Sequence, residues 1–354
     1  MNFFLLIRVV ARLSGVGQCG RGSDCGPCIR RRRQLQSYCR NTDFIVRLTA
    51  ARLVKTCLVA AAFAVASCST VPTPVPVPAP WVALFEGVSH RTLPAPGSVP
   101  MAIQVLRIDL TVPGVSIAVT PGDSSDGHEY RALRTSEVLL AQDWQVAVNG
   151  GYFLPFAGGS PGGDDYIPQP GQGADVSGAA IHDGLVVSPI EPDLDRRVNA
   201  ILCIWREAEV LIIDGQDCGP GVREAMAAGP RLLRDSRRLS YEAFDAAYGA
   251  ARHPRTAVGL DPRRRLAWLV TVDGRQPGYS EGASLDELTD ILVSLGASDA
   301  INLDGGGSTT MVVKSVNGPV VLNRPIHTAV PGRERPSANH LGVRARPRPD
   351  TFQP

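Results

Sequence analysis

Lysine is almost missing from this chain. Of its 36 basic residues only Lys55 and Lys314 are not arginine. Ala, Gly and Pro are abundant as well, so the arginine excess reads first as coding bias, and an arginine gains meaning only beside a motif. The spellings of common metal and nucleotide sites are also missing. There is no HExxH, Walker or EF-hand run, and the six histidines are scattered. A dedicated metal centre is not expected, although loop carboxylates leave a loosely bound Ca²⁺ open. No repeat period is visible, and no apolar run approaches the ~20 residues that a membrane-crossing helix needs. A broad basic surface is lacking too. Residues 1–68 hold 11 Lys or Arg against Asp24 and Asp43, a net of +9, while the remainder carries a net of −7. A mildly acidic body excludes the clustered positive charge of a nucleic-acid footprint.

What is present begins with an export signal, expected over residues 46–68. Arg47, Arg52 and Lys55 precede an apolar run that ends in Val65-Ala66-Ser67-Cys68. A charged segment, a short apolar stretch and small residues at the cut describe a secretory signal. Cysteine directly after the small residues resembles the bacterial lipoprotein version, in which Cys68 is lipidated and becomes the mature N-terminus. The chain would then sit on the cell membrane, facing the periplasm or exterior. A short transmembrane or buried helix is the competing reading, disfavoured by the length of the run. Residues 1–45 lie upstream of a complete signal and match no fold pattern. They are expected to be untranslated or disordered, with the true start codon near Val46 or Val54. Residues 69–80 include a run that alternates proline with small residues, which suits a semi-rigid polyproline II spacer. The folded domain is expected over residues 81–345, followed by a disordered tail over 346–354.

Cysteine usage fits this layout. Cys25-Gly-Pro-Cys28 is spelled like a redox pair, but no strand precedes it and no amphipathic helix follows. After export and lipidation only Cys203 and Cys218 remain, near the ends of a hairpin. They would form a disulfide in an oxidising compartment or persist as two buried thiols.

Strand signals dominate the domain. Residues 103–110 and 115–119 are β-branched runs parted by Pro113-Gly114, a hairpin candidate. Residues 130–142 predict a helix and 145–149 a strand. Residues 179–181 and 185–187 flank one turn, and 256–260 and 266–272 flank another. The best-marked helix follows the capping box Ser284-Leu-Asp-Glu287, with Leu285, Leu288, Leu292 and Leu295 at helical spacing and Gly296 placed to end it. A strand over 300–303 follows. Residues 160–178, rich in Gly and Pro, predict a long surface loop. The fold class expected is α+β, one domain built on a mixed or antiparallel sheet with a few helices.

The strongest local signal is Asn302-Leu-Asp304-Gly305-Gly306-Gly307-Ser308. A strand would deliver Asp304 to its end, and three glycines would let successive N–H groups form an anion-binding nest. A glycine-rich turn capped by Asp304 is the plainer alternative. Three further strand-end runs look similar in kind: Asn149-Gly150-Gly151-Tyr152-Phe153, Arg252-His-Pro-Arg255-Thr256 and Asp273-Gly-Arg275. Arginine grips phosphate oxygens bidentately. The run Gly158-Gly-Ser160-Pro161-Gly162 has the spelling of a hydrolase nucleophile elbow. That elbow uses the N–H of the residue after serine, which proline lacks.

Taken in order, Asn149 to Phe153, Arg255 to Gly259, Asp273 to Ser280, Asn302 to Met311 and Arg333 to Asn339 resemble the motifs of the phosphodiester glycosidase family, over about residues 103–343. The resemblance implies hydrolysis of an α-linked sugar phosphodiester. By motif position it points to Asn149, Gly150, Arg255, Asp273, Asp304, Gly305, Gly306, Gly307 and Ser308. Glycosidases ordinarily use two carboxylates. Here the leaving group would be a phosphate monoester with a second pKa of ~6, which needs little help from an acid. The expected roles are phosphate binding by Arg255 and the Gly305–Gly307 nest, and a carboxylate, Asp304 or Asp273, at the anomeric carbon. Asn149, Gly150 and Ser308 would complete the substrate contacts. The rival reading is a lipid-anchored glycan-binding or envelope-assembly protein without turnover. Phosphodiesterase chemistry at phosphorus usually wants metal ions, for which no cluster is visible.

Overall fold

A computed structural model describes residues 79–153, 168–191, 198–205, 209–241 and 249–348. The expected leader, the expected export signal with Cys68, most of the expected spacer, Ser160 and most of the expected tail lie outside them. Three antiparallel sheets make up most of the domain. The largest runs in the order Val82–Phe85, Val88–Leu93, Ile103–Asp109, Leu266–Val272, Arg255–Leu260, Asp299–Asn302, Arg231–Arg234 and Arg237–Arg238. A second orders Val210–Asp214, Ala200–Ile204, Glu224–Ala228, Ala180–His182 and Leu185–Ser188. A third orders Gly318–Val321, Met311–Ser315, Val146–Asn149, His340–Arg344 and Ser116–Val119.

The central strands of the large sheet are apolar on both faces because both are covered. Leu106, Ile108, Val258 and Ile301 face a core shared with Val146, Val148, Met311 and Leu341 of the third sheet and Leu202 and Met226 of the second. Ile103, Val105, Ala257 and Val270 face the opposite way, toward a helix. Two α-helices lie wholly within the described residues, α1 (Thr135–Ala141) and α2 (Leu285–Leu295). In α2, Ser284 Oγ accepts from Glu287 N at 3.1 Å, and Glu287 Oε2 accepts from Ser284 N at 2.9 Å. Gly296 ends it with φ 94°, a left-handed cap that favours glycine. Leu285, Leu288, Ile291 and Leu292 form its buried face. A Cβ on Gly259 would sit 2.9 Å from Leu292 Cδ2, so glycine there lets the helix lie close on the sheet.

Two sequence expectations are corrected. Residues 103–110 and 115–119 do not pair. Ile103–Asp109 already has neighbours on both edges, and the turn at 110–115 hands the chain to the third sheet, where Ser116–Val119 pairs with His340–Arg344. The helix expected over 130–142 starts only at Thr135. Tyr130–Arg131 instead pairs with Gly173–Ala174, and alternate residues Tyr130 and Ala132 enter a small core with Ala174 and Val176.

Cys203 and Cys218 form a disulfide across 15 residues of sequence. It ties strand Ala200–Ile204 to the segment after Val210–Asp214. A loop of that length is worth about 3 kcal/mol through restriction of the unfolded chain. The double replacement Cys203→Ser, Cys218→Ser is expected to lower unfolding stability by about that amount in urea. A change below ~1 kcal/mol would contradict this assignment of the bond's worth.

Candidate active site

The site is assembled at the end of strand Asp299–Asn302, which pairs with Arg255–Leu260. Leu303 N continues that ladder to Thr256 O at 2.8 Å, and Asp304 then leaves the sheet. Its backbone is held from both sides. Asp304 N donates to Gly150 O at 3.0 Å, and Asn149 Nδ2 donates to Asp304 O at 2.7 Å. Asn149 Oδ1 in turn accepts from Thr256 Oγ1 at 2.7 Å and Thr310 N at 3.2 Å. Asn149 is fully buried and its amide is spent on this framework, so it aims Asp304 rather than reaching outward. Gly150 belongs to the same clamp. A Cβ there would lie 2.2 Å from Asn339 Oδ1, so no other residue fits without displacing Asn339.

The glycine turn after Asp304 is tied back to the protein through its first two N–H groups. Gly305 N donates to Asp304 Oδ1 at 2.9 Å, and Gly306 N donates to Pro254 O at 2.9 Å. The N–H groups of Gly305 and Gly306, two of the three glycines expected to form a phosphate nest with Gly307, thus both have partners inside the protein. The glycines serve close approach. A Cβ on Gly305 would meet Pro254 O at 2.5 Å, and Gly306 has φ 59°. Ser308 is fully buried behind the turn, and its Oγ meets no hydrogen-bond partner among the described residues.

Arg255 and Asp273 are both buried. Arg255 is 1% exposed; its Nε donates to Ala283 O at 3.0 Å and its Nη2 to Ala251 O at 3.2 Å. A guanidinium so buried and tied to carbonyls braces the chain beside α2. Asp273 is likewise 1% exposed. Its Oδ1 accepts from Asn323 Nδ2 at 2.7 Å, and its Oδ2 from Tyr279 Oη at 2.9 Å and Arg324 N at 2.8 Å. Burial pushes the carboxyl above the usual aspartate range, and these three bonds oppose the rise. Asn323 Nδ2 also donates to Thr309 O at 3.0 Å, so Asp273 knits residues 273–280, residues 323–324 and the exit of the glycine turn together.

Two arginines and a histidine also approach the turn. Arg275 Nη2 lies 3.2 Å from where a Cβ on Gly306 would be. His327 Nδ1 lies 3.3 Å, and Arg335 Cδ 3.4 Å, from the same position on Gly307. The Arg335 guanidinium stacks 5.1 Å from the centre of the Phe153 ring. Arg275 is held at φ 56°, in the left-handed region that non-glycine residues rarely occupy. Arg275 and Arg335 both lie inside motif runs and were visible there as strand-end or proline-flanked arginines. His327 sits in a two-residue strand, Ile326–His327, and carried no sequence signal. Among the described residues no group of three or more His, Cys, Asp or Glu is placed to hold a metal ion.

Residues 142–344 match the phosphodiester glycosidase family, and the chain belongs to it. SPbeta prophage-derived uncharacterized protein YomE of Bacillus subtilis is 32% identical over 108 residues, which are 30% of this chain and 16% of YomE. This chain thus spans about a sixth of that relative's length.

Solved structures share the fold. A hypothetical protein from Synechocystis superposes with a TM-score of 0.51 at 18% identity, over 77% of this chain and 64% of that one. The catalytic domain of zebrafish N-acetylglucosamine-1-phosphodiester alpha-N-acetylglucosaminidase, auto-inhibited by its pro-peptide, gives 0.50 at 20% identity, over 77% and 85%.

Proposed function

We propose that this chain is an exported, lipid-anchored hydrolase that cleaves the glycosidic C–O bond of a sugar phosphodiester. The observation that carries the reading is Asp304, clamped by Asn149 and Gly150 at a turn flanked by Arg275, Arg335 and His327. One carboxylate near two arginines suits a substrate whose phosphate lies one atom from the carbon under attack. Arg275 and Arg335 hold and neutralise the phosphate, a task best done by planar, always-charged guanidinium groups. The bond from anomeric carbon to phosphate oxygen breaks, and its electron pair leaves with the phosphate monoester. Water supplies hydroxyl to the sugar, its remaining proton passes to the departing phosphate or to solvent, and Asp304 supports the positive charge that builds on the ring. Family membership favours this over a purely glycan-binding role.

The testing experiment incubates the full chain with a panel of glycosyl phosphodiesters and UDP-sugars, with and without EDTA. Release of free sugar together with phosphate monoester is expected, and EDTA is expected to leave the rate within about twofold, because arginines supply the charge that a metal would otherwise bring. Loss of activity in EDTA, restored by Ca²⁺ while the fold persists, would overturn the metal-independent assignment. For anchoring, Cys68→Ala is expected to move the protein from the membrane fraction to the soluble fraction. An unchanged membrane fraction would remove the lipoprotein reading.

A further inference from the structure

Strands that carry the active site at one end line a second cavity at the other. In strand His340–Arg344, His340 pairs with Asn149 of the Asp304 clamp, whereas Arg344 pairs with Ser116. Four steps along the strand set these two residues about 13 Å apart. At the Arg344 end lies a cavity of about 690 Å³, lined by residues of both the second and the third sheet. We propose that this cavity binds a single acyl chain carrying an anionic head group. The site is separate from the glycosidase chemistry proposed above and does not depend on it.

The lining sets the tail. Val115, Ile117, Ile204 and Val210, all buried members of the main core, line the cavity together with half-buried Val112 and Trp205. Trp205 Nε1 donates to Pro220 O at 3.3 Å, which fixes the indole. A volume within the roughly 300–1,000 Å³ of small-molecule sites, walled by aliphatic groups, favours a ligand that buries methylenes. A sugar would find few free polar partners there. The hydroxyl of Thr111 is spent on Asp109 Oδ1 at 2.6 Å. Glu224, the one carboxylate in the lining, accepts from Val119 N at 3.0 Å and Asp183 N at 3.3 Å and bonds His182 Nδ1 at 3.0 Å.

The remaining charge sets the head group. Arg223 is paired with Asp183 at 2.8 Å. Arg344 is exposed, and among the described residues it joins no ion pair. Exposed Arg346 lies against Gly114 of the lining, its Nε 3.1 Å from where a Cβ would be. Apolar walls with two uncompensated guanidinium groups beside them match an amphiphile whose head is negative.

The test measures binding, which is independent of turnover. Octanoate, decanoate, dodecanoate, dodecyltrimethylammonium and maltose are titrated calorimetrically, below micelle-forming concentrations, into the full chain carrying Cys68→Ala, so that no acyl group of its own competes. Each pair of added methylenes is expected to tighten carboxylate binding by ~10-fold. Dodecanoate should bind about 5-fold or more tightly than the ammonium amphiphile. Ser116→Trp, on an edge strand, fills the cavity and should abolish binding, with Val112→Trp in its place should that variant lose its fold. Arg344→Glu should remove the preference for the anion and keep the chain-length dependence at unchanged melting temperature. A flat chain-length series, equal binding of anion and cation, dodecanoate binding that survives the filled cavity, or tighter binding of maltose would overturn the proposal.

Discussion

Replacing Asp304 by asparagine is expected to lower kcat on a glycosyl phosphodiester by ~10²-fold or more, with KM and melting temperature little changed. The substitution keeps shape and hydrogen-bonding reach. The backbone clamp from Gly150 and Asn149 does not involve the side chain, so the turn should hold its place. What disappears is the negative charge that opposes the positive charge on the ring in the transition state. Such a group acts in the transition state alone, which is why kcat falls and KM does not. Steady-state kinetics on the purified variant checks this. Asp273→Asn is the control. It should lose stability, since an amide nitrogen would face one of the three donors that Asp273 now satisfies, and any loss of activity should follow loss of fold. Near-normal kcat in Asp304→Asn beside a folded but dead Asp273→Asn would exchange the two roles.

Arg275→Gly is expected to separate activity from stability in the opposite manner. Arg275 occupies φ 56°, where a side chain costs roughly 1–2 kcal/mol and glycine costs nothing. The variant should therefore stay within about 1 kcal/mol of the parent in denaturant, offsetting lost side-chain contacts by backbone relief. Its kcat/KM should nevertheless drop by roughly 10²-fold, because a preorganised guanidinium beside the phosphate is gone. Arg275→Lys should recover only part of the rate, a point charge standing in for a planar fork. A variant that loses stability in step with activity would make Arg275 a brace, as Arg255 already is.

The contrast between these two arginines shows where the sequence stops being readable. Arg255 and Arg275 both stand at strand ends within motif runs, and nothing local distinguishes them. Arg255 is swallowed because α2 and residues 251–255 close over it, a consequence of packing between segments 28 residues apart. Arg275 stays at the surface because a left-handed residue after Gly274 turns it toward the glycine turn. Helix α2, by comparison, was legible to its last residue, since its caps and apolar face are written within a dozen positions. The hairpin wrongly expected at Pro113-Gly114 failed for a non-local reason. Which edge a strand takes depends on which edges other strands have filled, and Leu266–Val272 and Val88–Leu93 had filled both. Asp304 and its glycines were conspicuous because so tight a turn tolerates little else. The use of their N–H groups was not, because Pro254 and the Asp304 side chain compete for them in three dimensions.

In the proposed reaction water attacks carbon and the phosphate leaves intact. The most direct test runs the hydrolysis of a glycosyl phosphodiester in water enriched in ¹⁸O and weighs both products by mass spectrometry. Cleavage of the C–O bond places the label in the sugar and leaves the phosphate monoester unlabelled. Label in the phosphate would mean attack at phosphorus, and this chain would then be a phosphodiesterase on a glycosidase scaffold.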